Sequence, residues 1–189
     1  MRHHNTLRRL FKKLGRQISF VGVELGVYNG ELSEALLKTF PNLHLHMADI
    51  WSQAAADSLY VQSGDRAAKI SGDEHMKNKL EALTRTEPFK ERRTIWHCDG
   101  KIAAQEMLKL KGKECLDFIF IDAEHTKEAV TADIRAWWAL VKRGGIVSGH
   151  DYNHRRFHGV KEAVDDFAAR NKLELGTGRG SVWWVIKPL

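Results

Sequence analysis

The chain has 189 residues, 43% hydrophobic and 29% charged, enough for one domain with a proper core and too few for two. Its net charge of +6 is concentrated at one end. Arg2, Arg8, Arg9, Lys12, Lys13 and Arg16 precede the first acid, Glu24, and the other 24 Lys and Arg balance 24 Asp and Glu. A body that grips nucleic acid across a whole face is therefore excluded.

No apolar run approaches the roughly 18 residues that a transmembrane helix needs, and the N-terminus has no signal-peptide apolar core. Cys98 and Cys115 lack CxxC spacing, which speaks against a zinc site or a disulfide framework and predicts a reduced, cytoplasmic protein.

Taken in order, the first element is a basic arm over residues 1–17. In "NTLRRLFKKLGRQI" the apolar residues Leu7, Leu10, Phe11, Leu14 and Ile18 follow helical spacing, with cations on the other side. A helix packed on the domain, a contact with anionic lipid or nucleic acid, and a transit peptide all fit this pattern.

Residues 18–189 read as a single domain. Strands are expected at 20–25, 43–50, 93–99, 116–122 and 144–151, with a last one at 181–188 paired antiparallel to "KLELGTG". "LDFIFID" is almost continuously apolar, as a strand buried on both faces should be. Helices are expected at 30–39, around Met76, Leu80 and Leu83, from Val130 to Val141, and from Val160 to Ala168. This alternation predicts an α/β fold with a doubly wound, mostly parallel sheet and an antiparallel C-terminal hairpin. Residues 51–73 show little periodicity after a strand end, where ligands bind in such sheets, and read as a lid or substrate loop.

The first strand–helix turn, "VELGVYNGELS", lacks GxGxxG, since Gly22, Gly26 and Gly30 are spaced by four; GxxxxGK[ST] is also absent. An acid two residues before Gly26 is a poor neighbour for a pyrophosphate. It suits a cationic or amino-bearing ligand, and so a nucleoside that carries an amino acid and a sulfonium. Asp49 ends the second strand, where an acid accepts hydrogen bonds from a ribose diol. Asp99 and Asp122 end the third and fourth. Any one of these acids could simply be a helix N-cap, but Glu24, Asp49, Asp99 and Asp122 together would line one sheet edge.

On these residues the chain resembles the class I S-adenosylmethionine-dependent methyltransferases, with their Rossmann-like architecture, over about residues 18–188. "FIFIDAEHTKEAVTADIRAWWALVKRGGIVSGHDY" is similar to a subgroup with a DxxHxYE…GG…GHDY pattern that includes sugar and natural-product O-methyltransferases; Lys127 stands in place of its tyrosine. The resemblance implies S-adenosylmethionine as cofactor. Glu24 and Gly26 would border its methionine part and Asp49 its ribose. Asp99 with Gly100 would hold the adenine, and Tyr28, Asn29, Gly30, Ile50 and Asp122 would complete the contacts.

At the acceptor side the candidate catalytic residues are Asp122, His125 and His150. Asp122 and Asp151 could share one Mg²⁺, a hard ion that prefers oxygen ligands. A metal-free site with His125 or His150 as base stays open, as does a reading of these residues as caps. The expected acceptor is a small-molecule or sugar hydroxyl. The alternatives are ribose methylation of RNA or another nucleic acid, anchored by the basic arm, and a non-catalytic cofactor-binding module. Base N-methylation is disfavoured, because "DAEH" replaces [DN]PP[YFW]. A homodimer stays open. Trp137 and Trp138 are expected in the core and Trp183 and Trp184 on opposite sides of a strand, while stacking of Trp51 on the adenine is one option among others.

Overall fold

The computed structural model describes residues 3–12, 14 and 19–189, with side chains from Asn5 onward. In the arm, α1 (His3–Phe11) turns Leu7 and Phe11 fully inward, and Phe11 stacks on Phe118 at 4.1 Å. Arg8, Arg9 and Lys12 face solvent. The apolar side of the helix is thus spent on the domain. Arg2, Lys13, Arg16 and Ile18 lie outside the described residues.

Seven strands form one sheet in the order β3-β2-β1-β4-β5-β7-β6. They are β1 (Phe20–Leu25), β2 (Leu43–Asp49), β3 (Arg93–His97), β4 (Leu116–Ile121), β5 (Val141–Gly149), β6 (Gly176–Gly178) and β7 (Val182–Ile186). The first five are parallel, and β7 runs antiparallel to both β5 and β6. The order reverses beside β1 and β4, so the ends of these strands open a crevice for a ligand. β4 is buried at every residue, as its continuous apolar run predicts.

Helices cover both faces. α5 (Gly100–Lys111), α6 (Lys127–Trp138) and α7 (His158–Arg170) bury Met107, Ile134, Trp137 and Val164 against one face. α1, α2 (Glu31–Thr39) and α4 (Gly72–Thr86) cover the other, with Leu36, Leu37 and Ala82 packed around Phe20, Phe118 and Phe120. Trp183 and Trp184 point to opposite faces and pack into these two layers. Trp138 is half-buried against Phe167.

The differences from expectation have local causes. β5 begins at Val141, three residues before the expected Gly144, with a register shift against β4. α5 is not announced by the sequence because its buried side is Ala103, Ala104 and Met107, while Ile102, Leu108 and Leu110 are exposed. In α4 the expected apolar markers Met76 and Leu80 are exposed, and Asn78, Ala82 and Thr86 face inward. Small residues are required there: a Cβ on Gly30 would come within 2.7 Å of the Ala82 Cα.

The 51–73 segment is not a bare loop. It holds α3 (Leu59–Gln62), capped by Ser58 Oγ, and a 3-10 turn at Ala67–Lys69.

Candidate functional site

The first turn is built on two glycines. Gly26 (φ 86°) has the left-handed backbone that glycine tolerates, and a Cβ there would lie 2.1 Å from the Asp122 carbonyl oxygen. Gly26 N donates to Ala48 O and Asp122 N to Leu25 O, so the ends of β1, β2 and β4 are tied together. Gly30 (φ 78°) opens α2. Tyr28, Trp51 and Asp151 are non-glycine residues with φ of 53°, 38° and 60°, and all three stand at this sheet edge. Strained residues persist where the surroundings over-determine them, often at functional sites.

Asp49 holds the turn in place. Its Oδ2 accepts from Val27 N and Tyr28 N, both at 2.8 Å, and its Oδ1 accepts from Trp51 N at 2.7 Å. A carboxylate has about four acceptor positions, so most of its capacity already serves the backbone. Trp51 is buried, with its indole N–H on Tyr28 O. Asn29 is half-buried in the turn, while Ile50 and Tyr28 are exposed at its rim. His97 Nε2 lies 3.0 Å from Ile50 O.

Glu24 sits beneath the turn rather than on its open face. It is 2% exposed and accepts from Ser33 Oγ of α2. Burial lifts its carboxyl from 4.5 to about 8 against the Ser33 bond, and Asp122 and Asp49 add to the rise. The crowding of Glu24 by Asp122 and Asp49 is a repulsion that a cationic ligand would relieve. Asp99 caps α5 through Lys101 N at 2.8 Å, the ordinary role of an acid before a helix. Gly100 packs on Leu25.

The second half of the edge is a cluster of charged side chains. His125 Nε2 lies 2.9 Å from Asp151 Oδ2 and 3.4 Å from Asp122 Oδ1. His150 Nδ1 lies 3.1 Å from Asp151 Oδ2 and 3.7 Å from Asp122 Oδ1. Burial would push the His125 imidazolium down, but hydrogen bonds to Asp122, Asp151 and Asp65 prevail and raise it from 6.5 to about 11. Burial likewise opposes ionisation of Asp151, yet His125 and His150 hold it far below the usual carboxylate range. His150 is raised by Asp151 and Asp122 against its own burial.

Among the described residues, one group could hold a metal ion: Asp122, His125 and Asp151, whose ligand atoms all lie within 4.8 Å of one another. One nitrogen and two carboxylate donors at this spacing fit a divalent cation. The expected pair Asp122 and Asp151 is thus joined by an imidazole.

Two participants have no clear sequence signal. Ser33 follows Glu24 by nine residues, and only the geometry of β1 and α2 brings them together. Asp65, from the irregular segment, lies 2.5 Å from His125 across 60 residues of chain. His154 and Phe157, from the basic loop after β5, stack in turn toward the His125 ring.

A methyltransferase-domain family model matches residues 23–152, from β1 through both halves of the site. No curated protein sequence matches the chain at a significant level. Among solved structures, the O-methyltransferase NovP superposes with a TM-score of 0.70 at 16% identity, covering 99% of this chain and 80% of that one. CalS11, a calicheamicin methyltransferase, gives a TM-score of 0.70 at 16% identity, covering 98% and 80%. Likeness at such identities shows a shared fold. No helix among the described residues is long and apolar enough to cross a membrane.

Proposed function

The chain belongs to the methyltransferase-domain family, and on that premise we propose that it moves the methyl group of S-adenosylmethionine to a hydroxyl of a small molecule or sugar. The observation that carries this reading is the split edge: a glycine turn with Glu24 beneath it and Asp49 and Asp122 beside it, next to a histidine–carboxylate cluster. The acids suit the positive sulfonium and ammonium groups of the donor. The remaining acceptor position of Asp49 suits one ribose hydroxyl, and Asp99 with Gly100 borders the adenine. The domain spans residues 18–189, with 51–73 as its lid.

The reaction is an in-line displacement. The S–CH₃ bond breaks as the O–CH₃ bond forms, leaving neutral S-adenosylhomocysteine. The leaving group is already activated, so the protein mainly positions and desolvates the reactants. The hydroxyl must shed its proton. His125 and His150 both lie against Asp122 and Asp151, and either imidazole, once it has given up its proton, can accept that of the hydroxyl. A divalent cation on Asp122 and Asp151, Mg²⁺ or a similar ion, would acidify the hydroxyl.

A second reading, methylation of an RNA ribose, draws on a different surface. An open groove of about 910 Å³ between α1 and the β6–β7 hairpin is lined by Arg9, Arg179 and Trp184. The two readings separate in one experiment: incubation with radiolabelled S-adenosylmethionine and either a panel of hydroxylated small molecules and nucleotide sugars, or structured RNA. Label in an ether product of the panel supports the proposal. Label in RNA alone selects the second reading. Label in neither, with an intact donor site, points to a cofactor-binding module.

A further inference from the structure

The irregular segment between β2 and α4 reaches the charged cluster through Asp65. This residue is 4% exposed. Its own turn fixes it: Asp65 N donates to Ser63 Oγ at 3.2 Å, and its Oδ1 accepts from Ala67 N at 2.9 Å. The other oxygen is thereby aimed at His125, whose Nδ1 donates to Asp65 Oδ2 at 2.5 Å. One ring face of His125 lies on Phe157, at 4.3 Å and 9°. An edge and a face of the imidazole are therefore taken, and Nε2 is directed between Asp151 and Asp122. An outer carboxylate that holds the far nitrogen of a ring is the usual support for a metal-ligating histidine.

We propose that Asp65 is a positioning residue: it keeps the Nδ1 proton of His125 and presents Nε2, whose proton the incoming ion displaces, as the third donor, with Asp122 and Asp151, to a divalent transition-metal cation such as Mn²⁺. The proposal deepens the reading of this cleft as a methyltransferase site and rests on it. Two consequences follow from the donor set. An imidazole ligand favours Mn²⁺ and its neighbours over Mg²⁺, which prefers oxygen alone. Because Asp65 belongs to the segment, an ion on His125 also steadies residues 51–73, so lid and cation site are coupled.

The test is titration of the purified full chain with Mn²⁺, read by the electron paramagnetic resonance signal of free ion, with and without S-adenosylhomocysteine. Asp65→Asn is expected to weaken Mn²⁺ binding about 10- to 100-fold. Asp65→Glu, which keeps the carboxylate, should recover part of the loss. Asp57→Asn, at an exposed acid of the same segment, should bind as the parent does. Mg²⁺ should displace Mn²⁺ only at more than about tenfold excess. Hydrogen exchange over residues 51–73 should slow on Mn²⁺ addition in the parent, and much less in Asp65→Asn.

Mn²⁺ affinity of Asp65→Asn within twofold of the parent would overturn the proposal. So would equal losses in Asp65→Asn and Asp65→Glu, which would mark Asp65 as merely structural. A parent that binds S-adenosylhomocysteine but no Mn²⁺ would remove the cation site and leave the methyl-donor reading. Mn²⁺ binding that depends on Asp65, without S-adenosylhomocysteine binding, would do the reverse.

Discussion

The two halves of the sheet edge use polar groups in opposite ways. At the β1–β2 half, backbone and side chain satisfy each other: Asp49 is bonded to Val27, Tyr28 and Trp51, and Glu24 to Ser33. At the β4–β5 half, charged side chains face one another, with His125 and His150 between Asp65, Asp122 and Asp151. The first half is a preformed cradle whose shape belongs to the fold. The second is a charge cluster in which Asp65 is bonded to backbone, at Ala67 N, while Asp122, His125 and Asp151 bring their ligand atoms within 4.8 Å of one another. The proposed function would assign donor binding to the first half and proton handling to the second.

The largest effect should come from breaking the cradle. Gly26→Ala forces a Cβ against the Asp122 carbonyl at a left-handed backbone position. Strain and overpacking together should cost about 3 kcal/mol and abolish S-adenosylhomocysteine binding, measured by urea unfolding and calorimetry.

Breaking the cluster should separate the halves. Asp151→Asn removes the carboxylate that both histidines approach. It should lower methyl transfer at least ~100-fold while donor affinity stays within a few fold. An equal loss of both would mean that the two halves act as one.

Titration offers a third contrast. Glu24 has its folded pKa raised from 4.5 to about 8. The unfolded chain therefore releases this proton first, and the residue makes stability fall as pH rises from about 4.5 to 8. Glu24→Gln should flatten that part of the profile and gain on the order of 1–3 kcal/mol near pH 8, read by thermal unfolding across pH. His125, raised to about 11, contributes stability that is full below 6.5 and lost as pH climbs through 11.

The smallest effect is expected at the arm. Arg8→Glu with Arg9→Glu changes exposed charge only and should shift stability by no more than about 0.5 kcal/mol, with donor affinity unchanged.

The cradle was readable from the sequence and the cluster only in part, for one physical reason. The strand-end acids and Gly26 are local signals: a short apolar run, an acid, a glycine, then helical spacing. The parallel sheet and its antiparallel hairpin followed from the same periodicity. Asp122 and Asp151 stand at strand ends and could be found in that way. Asp65 could not, because it lies in an aperiodic segment and meets His125 only through the path of α3 and the turn after it. α5 escaped notice because alanines, not large apolar residues, mark its buried side. The inward side of Glu24 was also hidden, since Ser33 supplies its partner from the next helix.

The central claim is that the Glu24–Gly30 turn with Asp49 holds a methyl donor. Calorimetric titration of the purified chain with S-adenosylhomocysteine, with NAD as control, tests it most directly. Micromolar binding of S-adenosylhomocysteine, no binding of NAD, and loss of the signal in Gly26→Ala is the predicted result. Absence of S-adenosylhomocysteine binding, with or without added Mn²⁺, would contradict the account.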